Sequence, residues 1–254
     1  MKMKAAFFNN GVPWAAGVPI LDRVFNAERK KRIAELTDLL PDIITSENFD
    51  RKLDQLRDVD VIFSTWGMLP LTADQLRLLP NLKALFYAAG ATAHFREPFV
   101  ENGITICSAA PANAIPVAEF ALSQILLAGA GYFRNTRECV DAWHTEVRNS
   151  FRGHGNYNGR VAIIGNGAIS LKLQHWLAQH DLEVVVVPAR EQNRTVSLEE
   201  AFATSFAVVN LLPDRDDNTG VLNEPLFRSM MNSAVFVNVG RGRQVNEDDL
   251  IRVM

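Results

Sequence analysis

Two α/β domains built on parallel sheets are the fold this sequence predicts, and three observations predict it. Short apolar runs alternate with helical patterns in the first part of the chain, a long helical pattern follows, and the alternation then starts again. Taken in order, Ala5 to Phe8, Val59 to Ser64, Leu82 to Tyr87 and Thr105 to Cys107 read as strands, with helical patterns over Ala27 to Leu40 and Ala73 to Leu79. Pro70, Pro80, Gly90 and Gly103 fall between the runs, where the chain must reverse. From Asn113 to about Tyr132, residues Val117, Phe120, Ala121, Gln124, Ile125 and Ala128 recur at helical spacing, as in a helix that joins two domains. Gly153, Gly155 and Gly159 mark the connection to a second run. Its strands are expected at Val161 to Ile164, Val184 to Val187, Ala207 to Leu212 and Ala234 to Val239. Its helices are expected at Ala168 to Gln179, Ser197 to Phe202, Glu224 to Met231 and Asp248 to Met254. The expected division is residues 1–109 and 110–254, the second holding fewer strands than the six of a complete doubly wound dinucleotide domain.

The composition limits the partners. With 254 residues, 48% hydrophobic and 22% charged, the chain can bury two modest cores. A net charge of -3 without long like-charge blocks gives no electrostatic reason to expect nucleic acid or an anionic membrane. The basic cluster Arg29-Lys30-Lys31-Arg32 lies with Glu28 and Glu35 in a helical stretch and reads as a solvated face. Cys107 and Cys139 form no C-x-x-C pair, which suits a reducing compartment and offers no metal site. The apolar opening is stopped by Asn9-Asn10-Gly11 and reads as a first strand rather than a signal peptide. Phe120 to Phe133, interrupted by Ser123 and Gln124, is expected to be too short for a bilayer and to form a buried helix, so the protein is expected in the cytoplasm.

Two motifs carry chemistry. Arg160 to Ile164 followed by Gly165-Asn166-Gly167-Ala168-Ile169-Ser170 has the strand, glycine turn and helix start of a dinucleotide fingerprint. Gly165 permits the turn, and Gly167 lets backbone N–H groups approach a pyrophosphate at the positive helix end. Ser170 replaces the third glycine, at a position that serves helix-to-strand packing. The acidic residue expected about twenty residues on to hold the adenosine ribose is absent. The second strand instead leads into Pro188-Ala189-Arg190. Arg190 either pairs with a 2′-phosphate, favouring NADP over NAD, or is solvent-exposed. The second motif, Asn238-Val239-Gly240-Arg241-Gly242, follows a buried strand at the carboxyl end, where α/β sheets place ligands. Its glycines clear space around a guanidinium suited to a substrate carboxylate, or else make a surface turn.

With these, Leu82 to Gly90, Pro111 to Glu119, Asn210-Leu211-Leu212-Pro213 and Asn218-Thr219-Gly220 stand in an order and spacing that resembles the D-isomer-specific 2-hydroxyacid dehydrogenases across nearly the whole chain. Within them the glyoxylate/hydroxypyruvate reductase-like branch is the most similar. The resemblance implies a Rossmann-type cofactor domain behind a smaller flavodoxin-like α/β substrate domain. It implies hydride transfer between NAD(P)H and a small 2-oxoacid or 2-hydroxyacid, and a homodimer. By the same resemblance Arg241 binds the substrate carboxylate, and Gly90, Ala91 and Thr92 present N–H groups to it. Thr92 stands where many members have glycine. Trp66 lies by the substrate pocket. Leu211, Pro213 and Thr219 line the adenosine side of the cofactor site, and Val239, Gly240 and Val117 the nicotinamide end. Ordinary strand-end packing is the other reading of Leu211 and Val117. The family's proton-transferring histidine, and the glutamate that holds it protonated, are expected further along than Met254, which implies a C-terminally truncated form lacking the last Rossmann strands. His94, His144, His154, His175 and His180 all precede Arg241, and His94, directly after the Gly90 loop, is the only one expected near substrate. A non-catalytic dinucleotide-binding module that regulates a partner is the alternative function.

Overall fold

The computed structural model describes residues 2–11, 17–138 and 153–254, and it divides by packing into Met1–Asn113 and Ala114–Met254. Cys139 and His144 lie outside the described residues.

The first unit is a five-stranded parallel sheet in the order β2-β1-β3-β4-β5. Its strands are β1 (Lys4–Phe8), β2 (Asp38–Ile44), β3 (Val61–Ser64), β4 (Ala84–Tyr87) and β5 (Thr105–Ser108). Helices α1 (Ile20–Val24) and α2 (Ala27–Leu36) cover one face, where Phe7, Leu21 and Phe25 form a small cluster. On the other face Leu56 of α3 (Leu53–Leu56), Leu76 of α4 (Ala73–Arg77) and Phe99 of α5 (Arg96–Glu101) pack on Phe8, Ile62 and Leu85. Burial on both faces explains why the central strands β1 and β3 read as apolar runs rather than as alternating patterns.

The expected helix over Ala27 to Leu40 is corrected. Helix α2 stops at Leu36, Thr37 caps it in extended backbone, and the chain turns at once into β2. Pro41 and two aspartates hide β2 in the sequence. They are tolerated because β2 is an edge strand paired only with β1, and Pro41 falls in the irregular stretch between the Ala5↔Leu39 and Phe7↔Ile43 pairs.

Helix α6 (Ala110–Gly129) spans the division between the units, and α7 (Tyr132–Glu138) follows it. At 20 residues α6 is longer than the apolar stretch read from sequence, and its length and hydropathy would suffice to cross a membrane. That corrects the expectation that it is too short. Its small-residue stripe, Ala118, Ala121, Ile125 and Ala128, is buried in the core of the second unit, as in a core helix.

The second unit is a four-stranded parallel sheet in the order β7-β6-β8-β9. Its strands are β6 (Gly159–Ile164), β7 (Leu182–Val187), β8 (Ala207–Asn210) and β9 (Val235–Asn238). Alternate residues of β6 enter opposite cores: Val161 and Ile163 meet α6 and α8 (Ala168–Leu177), while Ala162 and Ile164 meet α9 (Leu198–Thr204) and α10 (Glu224–Ser229). The last helix, α11 (Glu247–Val253), adds Leu250 and Val253 to that second face. From β6 the chain steps outward to β7 through α8, then returns past β6 to β8 through α9. Right-handed crossovers running in opposite directions put these helices on opposite faces. The reversal creates a switch point between the carboxyl ends of β6 and β8, where open α/β sheets bind ligands.

Gly165 occupies that switch point. Its φ is +112°, and a Cβ there would lie 2.5 Å from the Leu211 carbonyl oxygen and 2.7 Å from its carbon. Both the backbone angle and the approach of the neighbouring chain exclude a side chain. Gly165→Ala should therefore destabilise the second unit by about 3 kcal/mol, combining a left-handed-region penalty with overpacking. A urea titration followed by far-ultraviolet circular dichroism measures this.

In the first unit Asp60 ties β1 to the β4 entry. Its carboxylate accepts from the Lys4 backbone N–H at 2.9 Å and pairs with Lys83 at 2.6 Å. The Lys83 hydrogen bond, followed by that of the Lys4 backbone, holds its carboxyl below the usual carboxylate range. Such a group stabilises fully above its unfolded pKa, and the contribution fades as pH falls through the lowered folded value. Because Lys83 is exposed, screening limits the effect. Asp60→Asn should cost about 1 kcal/mol at neutral pH. In paired urea titrations the gap from wild type should shrink below about pH 4.

Candidate functional site

Most of the residues singled out in the second unit gather at the carboxyl edge of its sheet, because parallel strands all end on the same side. After β6 the chain passes through buried Gly165 to exposed Asn166 and Gly167 and enters α8. Gly167 is the N-cap, with φ -100° and ψ -169°, and no side chain caps the helix. The first-turn N–H groups, including those of Ala168 and Ile169, have no carbonyl a turn earlier to bond. Open space lies where a Gly167 Cβ would point. Ser170 is fully buried and its Oγ accepts from Gln174 Nε2 at 2.8 Å, so serine fills the close-packing position of the motif. A tight turn, an uncapped positive helix end and unobstructed backbone make a fitting cradle for the pyrophosphate of a dinucleotide.

At the end of β7, Arg190 is exposed. Its positive charge reaches Asp217, whose carboxyl is held below the usual range chiefly by a hydrogen bond from Arg215, with Arg190 a smaller contributor. Arg194, not singled out in the sequence, folds back: its guanidinium donates to the carbonyls of Pro188 (3.0 Å) and Ala189 (3.1 Å) and braces the stretch leading to Arg190.

At the end of β8, the Leu211 side chain joins the core while its carbonyl faces Gly165. Pro213 and Thr219 are exposed. Thr219 and Gly242 line an open cavity of about 470 Å³ with Arg243 and Glu247, which includes no residue of the 165–169 turn. Val117 is half-buried on α6.

Past β9, Val239 packs against the core and Arg241 is exposed, its Nε 3.6 Å from Asp214 Oδ2. Arg243 pairs with the same Asp214 at 2.7 Å and with Asp216 at 2.8 Å, and these hydrogen bonds, Asp216 first, raise its already high pKa. Beneath Arg241 lies a cluster of three amides that sequence reasoning missed. Asn210 Nδ2 donates to Asn238 Oδ1 (2.9 Å) and Gln244 Oε1 (2.8 Å), and Asn210 Oδ1 accepts from the Leu212 N–H (3.1 Å). Gly240 is fixed by this cluster: a Cβ there would run into Gln244 Oε1 and lie 2.7 Å from Asn210 Nδ2. The glycine therefore makes room for buried amides, in addition to any clearance it gives the arginine.

The first unit also carries its singled-out residues at a carboxyl edge. Trp66 follows β3 with an exposed side chain, while its carbonyl accepts from Asn9 Nδ2 at 2.7 Å. Asn9 is buried and joins the loops after β1 and β3. Gly90, Ala91 and Thr92 follow β4, and a Cβ on Gly90 would lie 3.1 Å from Asn113 Nδ2. His94 is exposed and stands edge-on to Phe95. His175 is exposed on α8, His180 lies just beyond it, and the His154 ring stacks on Phe206. Among the described residues no three of His, Cys, Asp and Glu gather as a metal site.

A glyoxylate reductase of Thermococcus gammatolerans is 25% identical over 223 residues, covering 80% of this chain and 64% of that protein. A protein of Corynebacterium melassecola, described as an uncharacterized protein in the proB 3' region, is 29% identical over 211 residues, 79% of this chain and 67% of its own. Across the first three curated relatives the matched share runs from 46% to 67% of the relative's length. Among solved structures, the apo D-mandelate dehydrogenase of Rhodotorula graminis shares the fold, with a TM-score of 0.73 at 19% identity over 99% of this chain and 77% of that one. The family model for the D-isomer specific 2-hydroxyacid dehydrogenase, NAD binding domain, matches residues 124–254. The chain belongs to the D-isomer specific 2-hydroxyacid dehydrogenase family, a family of NAD(P)-dependent oxidoreductases.

Proposed function

We propose that the chain binds NADPH along the carboxyl edge of its second sheet and serves the reduction of a small 2-oxoacid of the glyoxylate or hydroxypyruvate kind. The observation that carries this reading is the gathering of three features on one sheet edge: the Gly165 turn at the β6/β8 switch point, the uncapped start of α8, and Arg241 just past β9. The cofactor, when bound, supplies the hydride.

The residues then divide the work. Backbone N–H groups at Gly167, Ala168 and Ile169 hold the pyrophosphate, where the helix dipole favours negative charge, and Gly165, whose own N–H donates to the Val187 carbonyl at 2.8 Å, supplies the turn. Arg190 takes the 2′-phosphate, supported by its exposure and by the lack of an acidic residue closing β7. Leu211, Pro213 and Thr219 lie on the adenosine side, and Val239, Gly240 and Val117 toward the nicotinamide. Arg241 binds the substrate carboxylate as a planar two-point donor. Displacement of Asp214 from its long contact with Arg241 accompanies that binding. Within the first unit, Trp66, Gly90, Ala91 and Thr92 are assigned to substrate binding.

Calorimetry with NADPH, NADH and glyoxylate tests the assignment. NADPH should bind at least tenfold more tightly than NADH, and Arg190→Ala should remove most of that preference, the loss expected of one charge-assisted phosphate contact. Arg241→Gln should weaken glyoxylate binding to the NADP⁺ complex about 100-fold while NADP⁺ still binds. NADPH consumption that depends on glyoxylate supports the reductase. Dinucleotide binding with no consumption would favour a non-catalytic binding module, and no dinucleotide binding would contradict both.

A further inference from the structure

Gln244 stands three residues after Arg241, among charged neighbours, yet its side chain is wholly buried and every hydrogen-bonding position on it is used. Oε1 accepts from Asn210 Nδ2 at 2.8 Å and from the Arg241 backbone N–H at 2.9 Å. Nε2 donates to the carbonyls of Leu212 at 3.0 Å and Pro213 at 2.9 Å. The Gln244 backbone N–H in turn donates to the Arg241 carbonyl at 3.1 Å. Both backbone groups of Arg241 are thus bonded to one residue, which fixes the φ and ψ from which the exposed guanidinium projects. The residue before Arg241 is held too, because the Gly240 N–H donates to Asn238 Oδ1 at 3.1 Å and Asn238 is bonded to Asn210.

We infer that Gln244 is a positioning residue for Arg241: its amide sets the backbone that aims the guanidinium and locks that backbone to the Leu212–Pro213 strand end. The inference rests on the reading of Arg241 as the substrate-carboxylate residue. Physically, a buried amide in this place can be satisfied in one orientation only. Turning it would set Nε2 against the Arg241 N–H and Oε1 against two carbonyls, a donor facing a donor and an acceptor facing acceptors. The arrangement therefore has one low-energy state, whereas an arginine on an unbraced glycine-rich turn would sample many. Pre-organisation of this kind raises affinity by lowering what binding must order.

A double-mutant cycle separates this role from simple turn stability. Glyoxylate binding to the full 254-residue chain, saturated with NADP⁺, is measured for wild type, Gln244→Leu, Arg241→Lys and the double variant. The expected result is a loss of at least tenfold from Gln244→Leu in the wild-type background and of less than twofold in the Arg241→Lys background. Equal losses in both backgrounds, or no loss in the first, would overturn the positioning role. Should Arg241→Lys leave glyoxylate affinity unchanged, the reading of Arg241 itself fails and takes the inference with it. If Arg241→Lys weakens binding and Gln244→Leu does not, the inference alone fails. Were Gln244→Leu unable to fold, hydrogen exchange of the wild-type Arg241 amide decides: slow exchange is expected, and exchange at the rate of an open loop would overturn the role.

Discussion

The approach of the Gly165 backbone to the Leu211 carbonyl is the constraint on which the second unit depends. Two parallel strands, β6 and β8, run side by side because the chain reversed its direction across the sheet, and at their carboxyl ends the two backbones come too close for a side chain between them. That closeness does two things at once. It seals the core end, where Ile164 and Leu212 pack beneath the edge, and it keeps side chains out at Gly165 itself, ahead of the turn into α8. Backbone N–H groups at an uncapped helix start favour negative charge by their own electrostatics, which is the physical ground for the proposed phosphate contact.

Rigidity and exposure are divided around this edge. The exposed arginines 190, 241 and 243 each feel an aspartate of the 214–217 stretch, with Arg241 and Arg243 sharing Asp214. Beneath them the support is uncharged and buried. Asn210 and Gln244 are wholly excluded from solvent, and their amides bond backbone on both sides of the β8–β9 pair. Exposed ion pairs contribute little to holding geometry, whereas a fully satisfied buried amide cluster specifies it. The cations are thus free to meet a ligand while the backbone that carries them is fixed.

The sequence disclosed what depends on local pattern and concealed what depends on distant pairing. The apolar runs of β1, β6 and β8 are visible because both faces of each are buried, and the Gly165 turn is visible because a strand and a helix flank it. Strand β2 escapes notice since Pro41, Asp38 and Asp42 are tolerable only at an edge, and being at the edge is a property of the whole sheet. Gln244 is harder still. In a run of Arg, Gly, Arg and Glu it looks like a surface residue, and its burial follows only once β9 is paired beside β8 and brings Asn210, 34 positions away, within reach. The motif around Arg241 was legible, and the reason for its first glycine was only half so, because the atoms that need the space come from that same distant strand.

Hydrogen exchange of the full chain with and without NADPH reads the backbone amides of this sheet edge one segment at a time. Slowed exchange is expected to concentrate in 165–169, with a weaker effect at 211–213 and little change across the first unit's β2 edge. Binding of NADPH with no protection at 165–169, or with protection confined to another part of the chain, would contradict the proposed pyrophosphate site.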